Sequence, residues 1–133
     1  MSFYAYKGFD KNLKCRDFQY KVGKTYEMEE EPILCERGFH FCKKLIDVES
    51  YYPFTNYVYG KCFEIENVHK SSNRYCVVEI IGDICEDKEF QLDTKCATNK
   101  IRIVRELGQK EISDILYRED PFSSLNTILY FSI

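Results

Sequence analysis

The stretch "CERGFHFCKK" (Cys35 to Lys44) sets a histidine between two cysteines, with a phenylalanine on either side of it. It reads in three ways: as a metal site, as a catalytic pocket, or as the entrance to a helix that packs a core. Zinc ligands come as C-x2–4-C or H-x3–5-H pairs, whereas six residues separate Cys35 from Cys42 and His69 stands alone in a polar turn. No metal is expected, and the cysteines read as small core residues. A Cys–His nucleophile would place Cys42 near a helix start, where the dipole favours a thiolate. With seven cysteines and two histidines, however, some of them fall close together by chance. The third reading is therefore preferred: Gly38 supplies a turn, Phe39 and Phe41 go to the core, and Cys42 opens the helix. Alternation then leaves His40 on the opposite strand face, either partly exposed or as the one ionisable group lining a cleft.

The other charged and aromatic groups have simple readings beside functional ones. Glu64 and Glu66 share a face opposite Phe63 and Ile65, and Glu79 and Asp83 lie near a turn, as on the solvated side of a sheet. "TNKIRIVRE" puts Lys100 and Arg102 on one strand face, with Tyr57, Tyr59 and Tyr75 available to stack on single-stranded RNA. The acids Glu79, Glu86, Asp87, Glu89 and Asp93 offset that patch. Tyr51, Tyr52, Tyr57 and Tyr59 crowd a proline-containing loop, and exposed tyrosines give contact area at low entropic cost. Together with the acidic Glu29, Glu30 and Glu31, and with Lys100 and Arg102, they form a candidate partner-binding surface.

The elements that must position these groups follow from pattern. "SFYAYKGF" reads as a first strand, and "FQYKVGKTYE" as a strand pair or a strand with a tight corner at Gly23-Lys24. Leu45, Val48 and Tyr52 fit one face of a short helix ended by Pro53, and "YYPFTNYVYG" reads as a loop. Strands are expected over 61–68, 74–81 and 99–107, the first two as sheet neighbours. "GQKEISDILYRED" is expected to form a helix that buries Ile112, Ile115 and Leu116, and "SSLNTILYFSI" to dock as a strand or against the core. The sum is one α+β domain over 1–133, a mainly antiparallel sheet with two helices. At 133 residues and 44% hydrophobic content the chain buries enough surface to fold without staples. A net charge of −3 argues against non-specific nucleic-acid binding. No apolar run reaches membrane-spanning length, and the opening "MSFYAYKGFD" lacks the pattern of a signal peptide, so a cytoplasmic setting with free thiols is expected.

Four blocks in order, "YKGFDKNLKCRDFQYKVGKTYE", "CERGFHFCKKLID", "YCVVEIIGDI" and "KCATNKIRIVREL", resemble an uncharacterised domain family of bacteriophages and prophages. The resemblance implies a small phage-encoded binding protein, an inhibitor of a bacterial defence complex of the anti-CRISPR kind. Its partner would be a host protein or ribonucleoprotein, with no cofactor. A second likeness joins "RGFHFCKKLIDVESYY" and "YKGF" to the ADP-ribosyltransferases. That family begins its first motif with Arg or His where this chain has Lys7. It would imply a dinucleotide cleft where His40, Tyr26 and a glutamate converge, with Glu79 and Glu106 the candidates by strand position.

Overall fold

Alternation decides the first element. In the computed structural model, which describes residues 2–34, 36–59, 65–86 and 93–119 (the backbone alone over 56–59 and 65–69), strand β1 (Phe3–Phe9) buries Ala5 and Phe9 on one face and turns Tyr6 to the other. Short strands β2 (Lys14–Cys15), β3 (Phe18–Gln19) and β4 (Thr25–Glu27) follow, then β5 (Phe39–Cys42). After the one-turn helix α1 (Leu45–Val48) come β6 (Thr55–Tyr59), β7 (Ile65–Lys70), β8 (Arg74–Ile80) and β9 (Ile84–Glu86). The described chain closes with β10 (Lys95–Thr98), β11 (Lys100–Glu106) and helix α2 (Gln109–Glu119). Seven strands form one antiparallel sheet in the order β4-β11-β8-β1-β5-β10-β9, so the architecture is α+β as expected.

That order forces the sheet to fold over. Only Asn99 separates β10 from β11, yet they stand four places apart in the sheet. On a flat sheet the gap would be roughly 19 Å, far more than one residue spans. The paired chains 74–86 and 95–106 therefore bend together at Ile81–Asp83 and Asn99, and each contributes to both halves of the sheet. Asn99 Oδ1 accepts the Asp83 N–H at 2.8 Å. A Cβ on Gly82 would meet that same oxygen at 2.0 Å and the Lys100 nitrogen at 2.7 Å, so only glycine fits the bend.

Between the halves lies a core that includes Phe9, Phe39, Val78, Ile80, Ile101 and Ile103. Each such side chain contributes about 1.5–3 kcal/mol by its burial. A second core, under the helices, joins Leu45 and Val48 of α1 to Ile112, Ile115 and Leu116 of α2, with Phe54 and Tyr75. The two helices are also tied at their ends. The Glu119 carboxylate accepts the N–H groups of Leu45 and Ile46 at 2.7 and 2.9 Å, which satisfies donors the short helix leaves open.

Several expectations need correction. Cys42 closes β5 rather than opening α1, because the chain runs on to Lys44 before the helix begins. Residues 55–59 form β6 instead of a loop, paired to β7 in a separate two-stranded ribbon, so β7 is not a neighbour of β8. The corner at Gly23 exists, but its flanking strands do not pair with each other: β3 joins β2 and β4 joins β11. Strands β9 and β10 carried too little pattern to be expected. The tail from 120 onward, Cys35 and residues 60–64 lie outside the described residues.

Candidate functional site

The site arises where the sheet comes apart. Strand β1 pairs with β8 from Phe3 opposite Ile80 to Phe9 opposite Arg74, but with β5 only at Tyr6 opposite Cys42. Beyond that point the strands diverge and a cleft of about 420 Å³ opens, within the size range of small-molecule sites. Lys7 stands at the parting. It shares the period-two face of Ala5 and Phe9, so its side chain runs inward, and it is only 3% exposed. Its Nζ donates to the His40 carbonyl at 2.5 Å, on the β5 edge that β1 has left, and to Cys15 Sγ at 3.6 Å. The ring centroids of Tyr20 and Phe9 lie 5.2 and 5.8 Å away. Among the described residues no carboxylate is within ion-pair distance of it. Burial holds its pKa below the ordinary lysine range.

Arg16 reaches the same cleft from a turn. Strands β2 and β3 pair Lys14 with Gln19 and Cys15 with Phe18, leaving Arg16 and Asp17 as a two-residue loop. Their φ values of 52° and 66° are what a type I′ turn demands. Asn-Gly ordinarily fills such a turn; an arginine held in the left-handed region costs about 1–2 kcal/mol. Asp10 fixes the approach, its Oδ1 accepting the N–H groups of Asn12 and Lys14 at 2.8 and 2.9 Å. Those bonds hold the Asp10 carboxyl below its usual pKa.

The imidazole of His40, half-buried on β5, faces this concentration of cations. Its pKa is pushed down to about 4, first by burial and then by Lys7, Arg16 and Lys95, so the ring is neutral at pH 7. Tyr51, Tyr52 and Lys95 also line the cleft. Lys95 Nζ sits 4.3 Å from the Tyr51 ring centroid, and the Tyr51 hydroxyl donates to Asp93 Oδ2 at 2.7 Å. No described carboxylate lines this cleft. An adjoining cleft of about 350 Å³ shares Lys7, Cys15, Arg16 and His40 and adds Tyr26, Glu27 and Glu36. A larger depression of about 640 Å³ beside β9 is lined by Lys43 with Glu31, Asp83 and Glu86, and Lys43 is ion-paired with Glu86 at 3.0 Å.

The residues singled out in the sequence are thus divided. His40, Tyr51 and Tyr52 come together, and His40 meets Tyr26 with Glu27 and Glu36 in the second cleft. Glu79 and Glu106 do not join them. Glu79 accepts from Ser2 and Arg102, and Glu106 from Arg74, and both carboxyls are held below their usual pKa by those bonds. Lys100 and Arg102 are ion-paired with Glu27 and Glu79 at 3.1 and 2.9 Å. Tyr75 cannot stack on a nucleic acid: it is buried, its hydroxyl bound to the carbonyls of Tyr52 and Pro53. Tyr57 and Tyr59 lie on β6, and Glu29, Glu30 and Glu31 are exposed. Cys42 and Cys76 are buried, and burial pushes both thiols up to about 12, far from a reactive thiolate. Among the described residues no cluster of three or more His, Cys, Asp or Glu could hold a metal, and no helix is long and apolar enough to cross a membrane.

Fold and site together define an α+β domain with a cation-lined, tyrosine-walled cleft at a sheet split. Residues 3–115 match the family described as Domain of unknown function (DUF7666), and the chain belongs to that family. No curated protein and no solved structure matches it.

Proposed function

We propose that the chain is a binding domain for a small phosphate-bearing ligand with an aromatic ring, a nucleotide in chemical class, seated in the cleft between β1 and β5. Lys7 is the observation that carries the proposal. A buried ammonium is costly unless an opposite charge meets it, and here the nearest partners are a carbonyl and a thiol rather than a carboxylate. An anion entering the cleft supplies the missing charge. Arg16 and Lys95 offer further contacts to phosphate oxygens, and Tyr51 and Tyr52 offer ring faces to a base. The left-handed Arg16 supports the same reading, since backbone strain retained beside a cleft marks a position chosen for its side chain.

Thermal unfolding with ADP and with inorganic phosphate tests this. Ligand at 100 times its Kd stabilises the folded state by about 2.7 kcal/mol, which raises the Tm of a domain this size by roughly 10 °C. ADP is expected to act more strongly than phosphate, and Lys7→Met to abolish both effects. No shift with either ligand at millimolar concentration overturns the proposal.

A second reading is a phage- or prophage-encoded inhibitor that contacts a bacterial defence complex. It is supported by the exposed run Glu29–Glu31 and the exposed ring of Tyr51. Charge reversal of those three glutamates is expected to weaken recovery of a stoichiometric host partner from lysate, and unchanged recovery removes the acidic run from the interface.

A further inference from the structure

We propose that Lys7 and Cys15 form a peroxide-driven covalent cross-link, a sulfenamide joining Nζ to Sγ across the cleft. The geometry is specific. Lys7 Nζ lies 3.6 Å from Cys15 Sγ in a direct hydrogen bond, while the other partner of Nζ is a main-chain carbonyl that cannot be modified in this way. Cys15 is partly exposed and lines both clefts, so a small oxidant reaches it from either side; Cys42, Cys76 and Cys96 are buried. The sulfur and the Lys7 amine line the same cleft, so an oxidised sulfur forms within reach of its nucleophile.

Two steps complete the bond. Cys15 sulfur attacks a peroxide oxygen: an S–O bond forms, the O–O bond breaks, and water leaves after proton transfer. The product is a sulfenic acid, with sulfur oxidised by two electrons and peroxide reduced. The neutral Lys7 amine then attacks that sulfur. An N–S bond forms, the S–O bond breaks, and a second water carries away the hydroxyl together with one amine proton. One thiol, one amine and one hydrogen peroxide thus give one sulfenamide and two waters. The burial that depresses the Lys7 pKa raises the share of neutral amine needed for the second step. A thiol reductant attacks the sulfur and reverses the bond.

The cross-link itself does not depend on the nucleotide reading; only its consequence does. Joining Nζ to sulfur removes the Lys7 cation, so the oxidised chain is expected to bind ADP roughly 10–100-fold more weakly.

The test is intact mass and non-reducing peptide mapping of the full chain after hydrogen peroxide. The expected result is a loss of two hydrogens, a peptide containing Lys7 joined to one containing Cys15, and full reversal by dithiothreitol. Cys15→Ser is expected to abolish the loss, and Lys7→Met to leave oxygen adducts on Cys15 instead. Oxygen adducts on Cys15 in the wild-type chain without the linked peptide overturn the inference. So does linkage of Cys15 to Cys42 or another cysteine, or peroxide modification that spares Cys15. ADP binding is measured separately on reduced chain, so failure of the cross-link and failure of the nucleotide reading are distinguishable.

Discussion

Replacing Lys7 by methionine separates a functional lysine from a structural one. Methionine has similar length and volume, so it fills the space between Phe9 and Tyr20 with little strain. The change removes a burial penalty of several kcal/mol for the ammonium. Against it stand the lost charge-assisted bond to the His40 carbonyl, about 1.5–3 kcal/mol, and the ring contacts at 5.2 and 5.8 Å, together about 1–2 kcal/mol. The terms nearly cancel, so the variant is expected within about 2 kcal/mol of wild-type stability at pH 7 while losing its ligand. The pH dependence has a definite sign. Because the folded-state pKa of Lys7 is depressed, the unfolded chain binds more protons between that value and 10.5, so wild-type stability rises with pH in that window. The stability of the variant relative to wild type should therefore fall as pH rises. Urea melts of both chains at pH 7 and pH 9.5 measure this. A variant destabilised by more than about 2 kcal/mol at pH 7 makes Lys7 a structural strut instead.

Three further perturbations test the frame around the cleft. His40, with a pKa of about 4, makes the folded state bind fewer protons than the unfolded one between pH 6.5 and 4. Acidification through that window should cost about 1–2 kcal/mol after discounting for partial exposure, and His40→Asn should flatten the slope in urea melts. Gly82→Ala drives a Cβ into Asn99 and the Lys100 backbone at the bend, and should cost about 2–3 kcal/mol by chemical denaturation. Glu119→Ala removes both acceptors at the start of α1, and should lower stability by about 1–2 kcal/mol without moving ADP affinity of the folded chain.

Long periodic elements were legible in the sequence and their assembly was not. Strands β1, β8 and β11 are each seven residues long, with burial alternating over Lys100–Val104 of β11 and Cys76–Ile80 of β8, and α2 places Ile112, Ile115 and Leu116 on one face, so local pattern suffices. The placement of Phe39 and Phe41 inward with His40 between them also follows from alternation alone. What local pattern does not carry is the partner of each strand: "KCAT" is four residues long and is a strand only because β5 and β9 flank it. The signal for Lys7 is present in the residue pattern, although the expectations for the site did not include it as a buried cation. Phe3, Ala5, Lys7 and Phe9 fall on one face at period two, which puts a lysine in register with core residues. Arg16 gave a weaker signal, because an arginine where a tight hairpin favours asparagine or glycine is recognised only once the turn is known. Lys95 reaches the cleft on β10, whose place in the sheet depends on the bend at Gly82 and Asn99, and a lone glycine and asparagine do not announce such a bend in sequence.

The cleft between β1 and β5 is proposed to take a phosphate-bearing ligand through Lys7. The most direct measurement is an amide NMR titration of the reduced chain with ADP. Binding through Lys7 predicts saturable shifts concentrated at Lys7, Gly8, Arg16, His40 and Phe41, absent in Lys7→Met. Shifts centred on Glu29–Glu31 or on Lys100 and Arg102, or no shifts at millimolar ADP, contradict it.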